Sequence, residues 1–232
     1  MPKEEQTLIG VGIYSIAEAS RLSQVHRNTI ARWLRGYSYR LGDDRRYSPQ
    51  AIKGGLLHAG GANALRFKDL IEVRFVDAFR HQGVSWKVLR KASERAAEVL
   101  ETTHPFSTKR FLTDGQRILG EMGRERGAGA LLDVIKDQYV FREILAPYLR
   151  GLERSDQDEV LRWWPLERRG GVVLDPERSF GQPIISDEGV STNVLYRAFK
   201  AEGAVDPVAR WFDVKPKSVR LAIEYEKHLA AA

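Results

Sequence analysis

The sequence predicts a mainly α-helical fold with small β hairpins. Two stretches, residues 13–36 and 205–229, each have the pattern of two short helices joined by a tight turn. Between them, apolar residues recur at helical spacing over residues 66–81 and 86–100. Aromatic residues and arginines alternate around a Gly-Asp-Asp turn at residues 42–44, which is typical of a β hairpin.

Length and composition narrow the class of protein. The chain has 232 residues, 43% of them hydrophobic, a formal net charge of +6 and no cysteine. These values fit a cytoplasmic protein with packed cores, without disulfides and without a membrane span of about 20 apolar residues. We expect an N-terminal domain over residues 1–150, a linker over 151–171 and a C-terminal domain over 172–232.

The first helix pair begins with a capping signal. Ser15 is followed three residues later by Glu18, the spacing of a capping box. The first helix is predicted to end near Leu22, and a turn over residues 23–25 leads into a second helix that runs from His26 to Leu34. The hairpin would follow this second helix as a wing, giving a winged helix-turn-helix.

The outward side of this motif is basic. Residues 1–60 hold nine Lys or Arg against five Asp or Glu, a net charge of +4. In a helix-turn-helix the second helix enters the major groove, where Arg can pair with guanine and Asn with adenine. The residues predicted to contact DNA are His26, Arg27, Asn28, Thr29 and Arg32 on the helix, and Arg40, Arg45 and Arg46 on the hairpin. The alternative is an ordinary helical hairpin with a solvated basic face.

Three segments of this region resemble the winged helix-turn-helix of MerR-type regulators. They are Tyr14–Glu18, Thr29–Trp33 and Arg46–Ser48. The resemblance implies DNA binding. No long dimerising coiled coil and no effector cysteine follow, so it does not extend to metal or drug sensing.

The middle of the chain is predicted to alternate between helices and short strands. Ser85 can cap a helix over residues 86–100. Residues 106–119 flank Asp114-Gly115, a favoured turn pair, and are predicted to form a hairpin. Further predicted elements are a helix over 138–149, strands over 163–165, 171–174 and 178–185, and helices from Thr192 onward.

The second helix pair carries a weaker basic signal. Pro216 suits the first turn of its second helix. Candidate DNA contacts near the start of that helix are Lys215, Lys217, Ser218 and Arg220. Residues 193–232 hold seven bases and five acids, a net charge of only +2. Two interpretations therefore stay open: contact with DNA, or a dimerisation module with solvated lysines.

Several segments resemble VapB-type antitoxins of type II toxin–antitoxin systems. In the C-terminal part these are residues 178–185, 189–195 and 202–225, and in the middle residues 66–74 and 111–115. The resemblance implies a homodimer that binds a PIN-domain ribonuclease toxin and represses its own operon at operator DNA. The alternative is a stand-alone dimeric DNA-binding regulator without a toxin partner.

Motifs for catalysis are lacking in the sequence. The five histidines form no HExxH pair, and no phosphate-binding loop of the GxxxxGK type is present, so we expect no enzyme, metal site or cofactor. The acidic run of Asp156, Asp158 and Glu159 is more simply a solvated charge run than a catalytic carboxylate pair. Trp163 and Trp164, in the predicted linker, are candidate toxin contacts because aromatic residues often anchor interfaces.

Overall fold

The structure of the chain is a computed structural model, which describes residues 12–52, 54, 57–59, 62–120 and 145–231. These residues form two compact units. The N-terminal unit contains the described residues of 14–150 and 154–160, and the C-terminal unit contains those of 12–13, 151–153 and 161–231. Helices predominate, with small antiparallel sheets, as the sequence predicts.

The N-terminal unit starts with a short strand and two helices. Strand β1 (Ile13–Ser15) runs into α1 (Ile16–Ser23), and α2 (Arg27–Arg35) follows after a turn. The predicted capping box is present. The Ser15 hydroxyl accepts from the Glu18 amide at 3.1 Å, and the Glu18 carboxylate accepts from the Ser15 amide at 2.8 Å. This reciprocal pair satisfies amides that the first helical turn leaves without partners.

Two small sheets follow. Strands β2 (Tyr37–Leu41) and β3 (Asp44–Ser48) form the predicted antiparallel hairpin. Its two-residue turn begins with Gly42 at φ 64°, the backbone conformation that the first turn position of a type II′ hairpin requires. Strands β4 (Leu57–Ala59) and β5 (Ala62–Arg66) form a three-stranded sheet with β1, in the order β1-β5-β4.

Two long helices supply much of the N-terminal core. They are α3 (Phe67–His81) and α4 (Trp86–Leu100), and both match the predicted bounds to within one residue. Ser85 caps α4 by accepting from the Val88 amide at 3.4 Å. Helix α3 buries apolar residues on most of its circumference, which indicates a central helix.

The predicted hairpin over residues 106–119 is wrong, because most of this segment is helix α5 (Lys109–Gly120). Phe111, Gly115 and Ile118 are buried at i, i+4 and i+7, so one helical face packs inward. Phe111 joins Phe79 and Phe106 in an aromatic cluster with ring centroids 5.0 to 6.2 Å apart. Burial of that face outweighs the helix cost of Gly115, which is about 1 kcal/mol.

The acidic run contributes to this same helix. The Asp158 carboxylate accepts from the backbone amides of Lys109 and Arg110 at 2.6 and 3.3 Å. Glu159 pairs with Lys68 at 2.9 Å. The run is therefore neither merely solvated nor a carboxylate pair, since Asp158 caps the first turn of α5. Of the predicted helix over residues 138–149, residues 138–144 lie outside the described residues, and residues 145–149 are helical.

The C-terminal unit is built on a four-stranded sheet. The order is β6 (Leu152–Arg154), β7 (Val160–Trp163), β8 (Val172–Leu174) and β9 (Pro183–Ile185). Residues 151–171, predicted as a linker, thus include two strands. The strand predicted over 178–185 is shorter than expected, because residues 179–181 form a 3₁₀ turn ahead of β9.

Three helices complete the C-terminal unit: α6 (Thr192–Glu202), α7 (Val205–Trp211) and α8 (Pro216–Ala231). A buried carboxylate joins α6 to α8. Glu226 accepts from the Thr192 hydroxyl at 2.6 Å and from the side-chain amide of Asn193 at 3.4 Å. In the described part of the chain, no helix is both long and apolar enough to cross a membrane.

Two buried carboxylates of α3 lie near a histidine. Asp69 is 2.9 Å from His104 Nε2, and Glu72 accepts from the Ser107 amide at 2.9 Å. Burial raises the pKa of the Glu72 carboxyl from 4.5 to about 7, while nearby His104 acts in the opposite direction. Below about pH 7 the folded protein therefore keeps Glu72 mainly neutral.

Glu72→Gln should make the free energy of unfolding less dependent on pH. Because the folded pKa of Glu72 is raised, its contribution to stability is complete below pH 4.5 and is lost as the pH rises through about 7. At 1.36 kcal/mol per pKa unit, the loss is about 3 kcal/mol. Urea denaturation between pH 5 and 8 should show a flatter profile for Glu72→Gln. The exposed Glu98→Gln should keep the wild-type slope, and equal slopes for all three proteins would contradict the assignment.

Candidate nucleic-acid interface

Helix α2 separates sharply into an inward and an outward face. Ile30, Trp33 and Leu34 are at most 5% exposed. The predicted contact residue Thr29 is half-buried. The exposed side chains of this region are those of His26, Arg27, Asn28, Arg32 and Arg35. The apolar face holds the helix in place and leaves a cationic face toward solvent.

The first turn of α2 is capped by one of the predicted contact residues. His26 Nδ1 accepts from the Asn28 backbone amide at 3.2 Å. The Arg27 and Asn28 side chains have no ion-pair or hydrogen-bond partner among the described residues. Both are therefore available to an external partner.

The hairpin is held close to the C-terminal end of α2. The Tyr47 hydroxyl donates to the Arg35 carbonyl at 2.7 Å, and the Ala51 amide donates to the Trp33 carbonyl at 3.0 Å. Both bonds satisfy carbonyls that the helix end leaves without partners. Gly36 joins the helix to the hairpin at φ 72° and ψ −178°, a conformation essentially restricted to glycine.

A tryptophan pair also fixes the junction between α2 and the hairpin. Trp33 of α2 stacks on Trp86 of α4 with ring centroids 5.9 Å apart and planes 12° apart. Trp86 Nε1 also donates to the Ser48 hydroxyl at 3.1 Å. Since Ser48 ends β3, helix α4 positions α2 and the hairpin together.

Two of the three hairpin arginines, Arg40 and Arg45, have no ion-pair partner among the described residues. Arg40 and Arg45 are directly opposite each other on the two strands, and like charges in that position are destabilising. No carboxylate of the described residues lies within 4.0 Å of either side chain. Arg46 pairs with Asp44 at 3.7 Å, but both are well exposed, so this pair contributes little. An external anion between Arg40 and Arg45 would relieve their repulsion.

An open recess of about 340 Å³ lies between α2 and the start of the hairpin. It is lined by Asn28, Ala31, Arg32, Arg35, Gly36 and Tyr37. The Arg32 guanidinium lies 5.3 Å from the centroid of the Tyr37 ring, a cation–π contact that holds the side chain beside the recess. The recess is consequently polar, cationic and partly ordered before any ligand binds.

The C-terminal candidates are placed differently. Lys215, Lys217 and Arg220 are exposed, but Ser218 is buried and its hydroxyl donates to Glu188 at 2.9 and 3.1 Å. Glu188 also accepts from the Lys215 amide at 3.3 Å. A carboxylate thus already occupies the N-terminal end of α8, where an incoming phosphate would meet its negative charge.

The two candidate toxin contacts differ in exposure. Trp163 is 5% exposed and belongs to the core of the C-terminal unit. Trp164 is half-buried, donates from Nε1 to Glu153 at 3.1 Å and lies 5.6 Å from the Arg168 guanidinium. The burial of Trp163 argues against its being a contact with a partner.

Sequence reasoning did not find two of the residues that shape these surfaces. Trp86 and Glu188 act across 38 and 30 positions, on Ser48 and Ser218 respectively, and no local pattern reveals such pairs. Among the described residues, no group of three or more His, Cys, Asp or Glu side chains is arranged to hold a metal ion.

The chain belongs to the family of VapB-type antitoxins. It is 30% identical to VapB45 of Mycobacterium tuberculosis, a protein named as an antitoxin, over 233 aligned residues that cover 96% of this chain and 97% of that protein. The fold resembles the crystal structure of Rv2018 from the same organism, with a TM-score of 0.67 and 25% identity. That match covers 93% of this chain and 99% of Rv2018. No family model matches the chain.

Gly36→Ala should destabilise the N-terminal unit by about 2–3 kcal/mol, because the backbone conformation disfavours a side chain. A Cβ would also collide with the Ser48 carbonyl and the Tyr47 hydroxyl. Gly42→Ala is a matched control, since Gly42 also has positive φ but nothing lies within 4 Å of its added Cβ. Its cost should be about 1–2 kcal/mol. Urea denaturation measures both, and an equal loss would mean that the close approach at Gly36 is unimportant.

Proposed function

We propose that this chain is an antitoxin that represses its own operon by binding operator DNA and neutralises a PIN-domain ribonuclease toxin by direct binding. The DNA-binding part is supported by one observation above all. The cationic face of α2 and the hairpin arginines lie next to each other, and most of their charges have no ion-pair partner among the described residues. The toxin-binding part is supported by membership of the antitoxin family.

In this proposal α2 enters the major groove as the second helix of a winged helix-turn-helix. Arg27 and Asn28, in its first turn, contact base edges, because Arg matches guanine O6 and N7 and Asn matches adenine N6 and N7. Thr29, His26 and Arg32 contact the adjoining backbone. These contacts need α2 to be held rigidly, which the Trp33–Trp86 stack and the capped helix ends supply.

The hairpin acts as the wing and grips phosphates. Arg40, Arg45 and Arg46 have guanidinium groups suited to phosphate oxygens. A phosphate between Arg40 and Arg45 replaces a repulsive pair with two attractive ones. Contacts of this kind add affinity without distinguishing sequences.

The C-terminal unit contributes dimerisation in this proposal. A twofold dimer would read half-sites about 34 Å apart, or a multiple of that distance. Lys215, Lys217 and Arg220 are exposed and can add phosphate contacts. Ser218 is left out because its hydroxyl is engaged by Glu188.

Two substitutions should separate base contacts from phosphate contacts. In gel-shift titrations with the promoter region of the chain's own operon and an unrelated duplex, Arg27→Ala should lower the preference for the promoter about 5- to 150-fold. Arg45→Ala should weaken binding to both duplexes and reduce the salt slope by about 1.

Arg117→Ala is the matched control for both, since Arg117 is an exposed arginine on α5. It should leave affinity, preference and salt slope unchanged. Wild-type behaviour of both Arg27→Ala and Arg45→Ala would refute the assignment of this face to DNA.

For the toxin contact we propose the segment over residues 161–166. Its exposed side chains are apolar, with Leu161 at 41% and Leu166 at 39%, and Trp164 lies between them. Of the two candidate tryptophans, Trp163 is buried in the core, so only Trp164 has exposed surface for contact with a partner. The acidic metal site of a PIN domain would belong to the toxin and not to this chain.

Trp164→Ala should weaken capture of the PIN-domain toxin encoded beside this gene at least about 30-fold, as expected for an aromatic interface anchor. Binding can be measured by calorimetry with the purified, catalytically inactive toxin. Phe180→Ala, which removes a 66% exposed aromatic side chain from the same unit, is the control and should bind normally. Equal affinities of both variants and wild type would exclude this segment.

The alternative is a stand-alone dimeric regulator of transcription. It keeps the operator contacts of α2 and the hairpin but lacks a toxin. Co-expression distinguishes the two: rescue of growth from the neighbouring toxin supports the antitoxin, and absence of rescue with intact operator binding supports the regulator.

A further inference from the structure

Helix α7 exposes a tryptophan. Trp211 is 74% exposed, the highest value among the large hydrophobic side chains of the described residues. The other four tryptophans of the chain are buried or half-buried. Exposing an indole to this extent is costly in water, and exposed aromatic residues are enriched in surfaces that bind other proteins.

The rest of α7 explains which way this side chain points. Val208 and Ala209 are at most 4% exposed and attach the helix to its unit. The opposite face carries two rows at i, i+4 spacing. One row is Asp206 and Arg210, both exposed, and the other is Pro207 and Trp211.

The charges on this outward face are complementary to those on the same face of a second copy. Asp206 and Arg210 lie on the same side of α7, one near each end. Two copies of the helix can pack antiparallel by their outward faces, about a twofold axis midway between residues 206 and 210. Asp206 of each copy then faces Arg210 of the partner subunit. Neither side chain has an ion-pair partner among the described residues of its own chain.

The apolar row fits the same arrangement. The axis that pairs Asp206 with Arg210 of the partner subunit also brings each Trp211 toward Pro207 of the partner subunit. Helical side chains lean toward the N-terminus, which moves the indole of Trp211 in the direction of that proline. Twofold contacts in which one patch meets its own copy are the commonest form of homodimer interface.

We propose that the outward face of α7 (Asp206, Pro207, Arg210 and Trp211) is the self-association surface of this chain, with a second copy as its occupant. Its role in spacing two half-sites rests on the proposed operator binding, whereas the self-association itself does not. Each Trp211 and Pro207 of the partner subunit form the apolar side of the interface, and the two Asp206–Arg210 pairs lie beside them and set the antiparallel orientation.

The test is sedimentation equilibrium of the full-length chain. Trp211→Ala should raise the dimer dissociation constant at least about 30-fold, the effect expected for an aromatic interface anchor. Phe180→Ala is the matched control, because it removes another exposed aromatic side chain of the same unit. Its dissociation constant should equal that of the wild type.

Charge reversal tests the orientation. Asp206→Arg and Arg210→Asp, made singly, each place like charges opposite each other across the twofold axis and should weaken the dimer. The double variant Asp206→Arg/Arg210→Asp restores opposite charges and should recover most of the lost affinity. A double variant no better than either single change would overturn the antiparallel pairing.

The same variants distinguish failure of the self-association surface from failure of the proposed toxin and operator binding. Retention of the wild-type dimer by Trp211→Ala would overturn the proposal, and a simultaneous loss of toxin capture would assign the surface to the toxin. A Trp211→Ala variant that is monomeric but still binds a duplex with a single half-site in a gel shift would support the proposal. It would also show that operator recognition by α2 is intact. Loss of promoter preference by Arg27→Ala, measured separately, concerns the proposed function alone.

Discussion

The close approach of the β2–β3 hairpin to the end of α2 is the constraint on which the candidate DNA-binding surface depends. Gly36 allows the approach, because a side chain there would collide with Ser48 and Tyr47. The Trp33–Trp86 stack and the bond from Trp86 to Ser48 fix the junction against α4. Without these contacts the arginines of helix and hairpin would not share one rigid surface, and a rigid surface loses little entropy on binding.

Charge distribution distinguishes the two helix pairs. On α2 and its hairpin most cations have no ion-pair partner in the described part of the chain, and Arg40 and Arg45 repel each other across the strands. At the start of α8, Glu188 already accepts from Ser218 and from the Lys215 amide. Binding of an anion is therefore favoured at α2 and the hairpin and disfavoured at the N-terminus of α8, although the two helix pairs have similar sequence patterns.

Buried carboxylates serve structural roles in both units. Glu226 joins α8 to the start of α6 by accepting from Thr192, and Glu72 accepts from the Ser107 amide. In each case hydrogen bonds offset the free-energy cost of burying the carboxylate, because a buried polar group without a partner is destabilising. For Glu72 the hydrogen bond does not fully compensate for burial of the charged carboxylate, and burial still raises its pKa to about 7.

The sequence by itself determined the elements whose signals are local. The capping box of α1, the bounds of α3 and α4, the β2–β3 turn at Gly42 and the exposed arginines follow from spacing within a few residues. Only the tertiary structure decided that residues 109–120 form a helix. Phe111 packs against Phe79 and Phe106, Ile118 is buried on the same helical face, and this burial outweighs the turn preference of Asp114-Gly115. The tertiary structure also buried Trp163 and Ser218 while exposing Trp211, since burial depends on contacts between residues far apart in the chain, which local patterns do not encode.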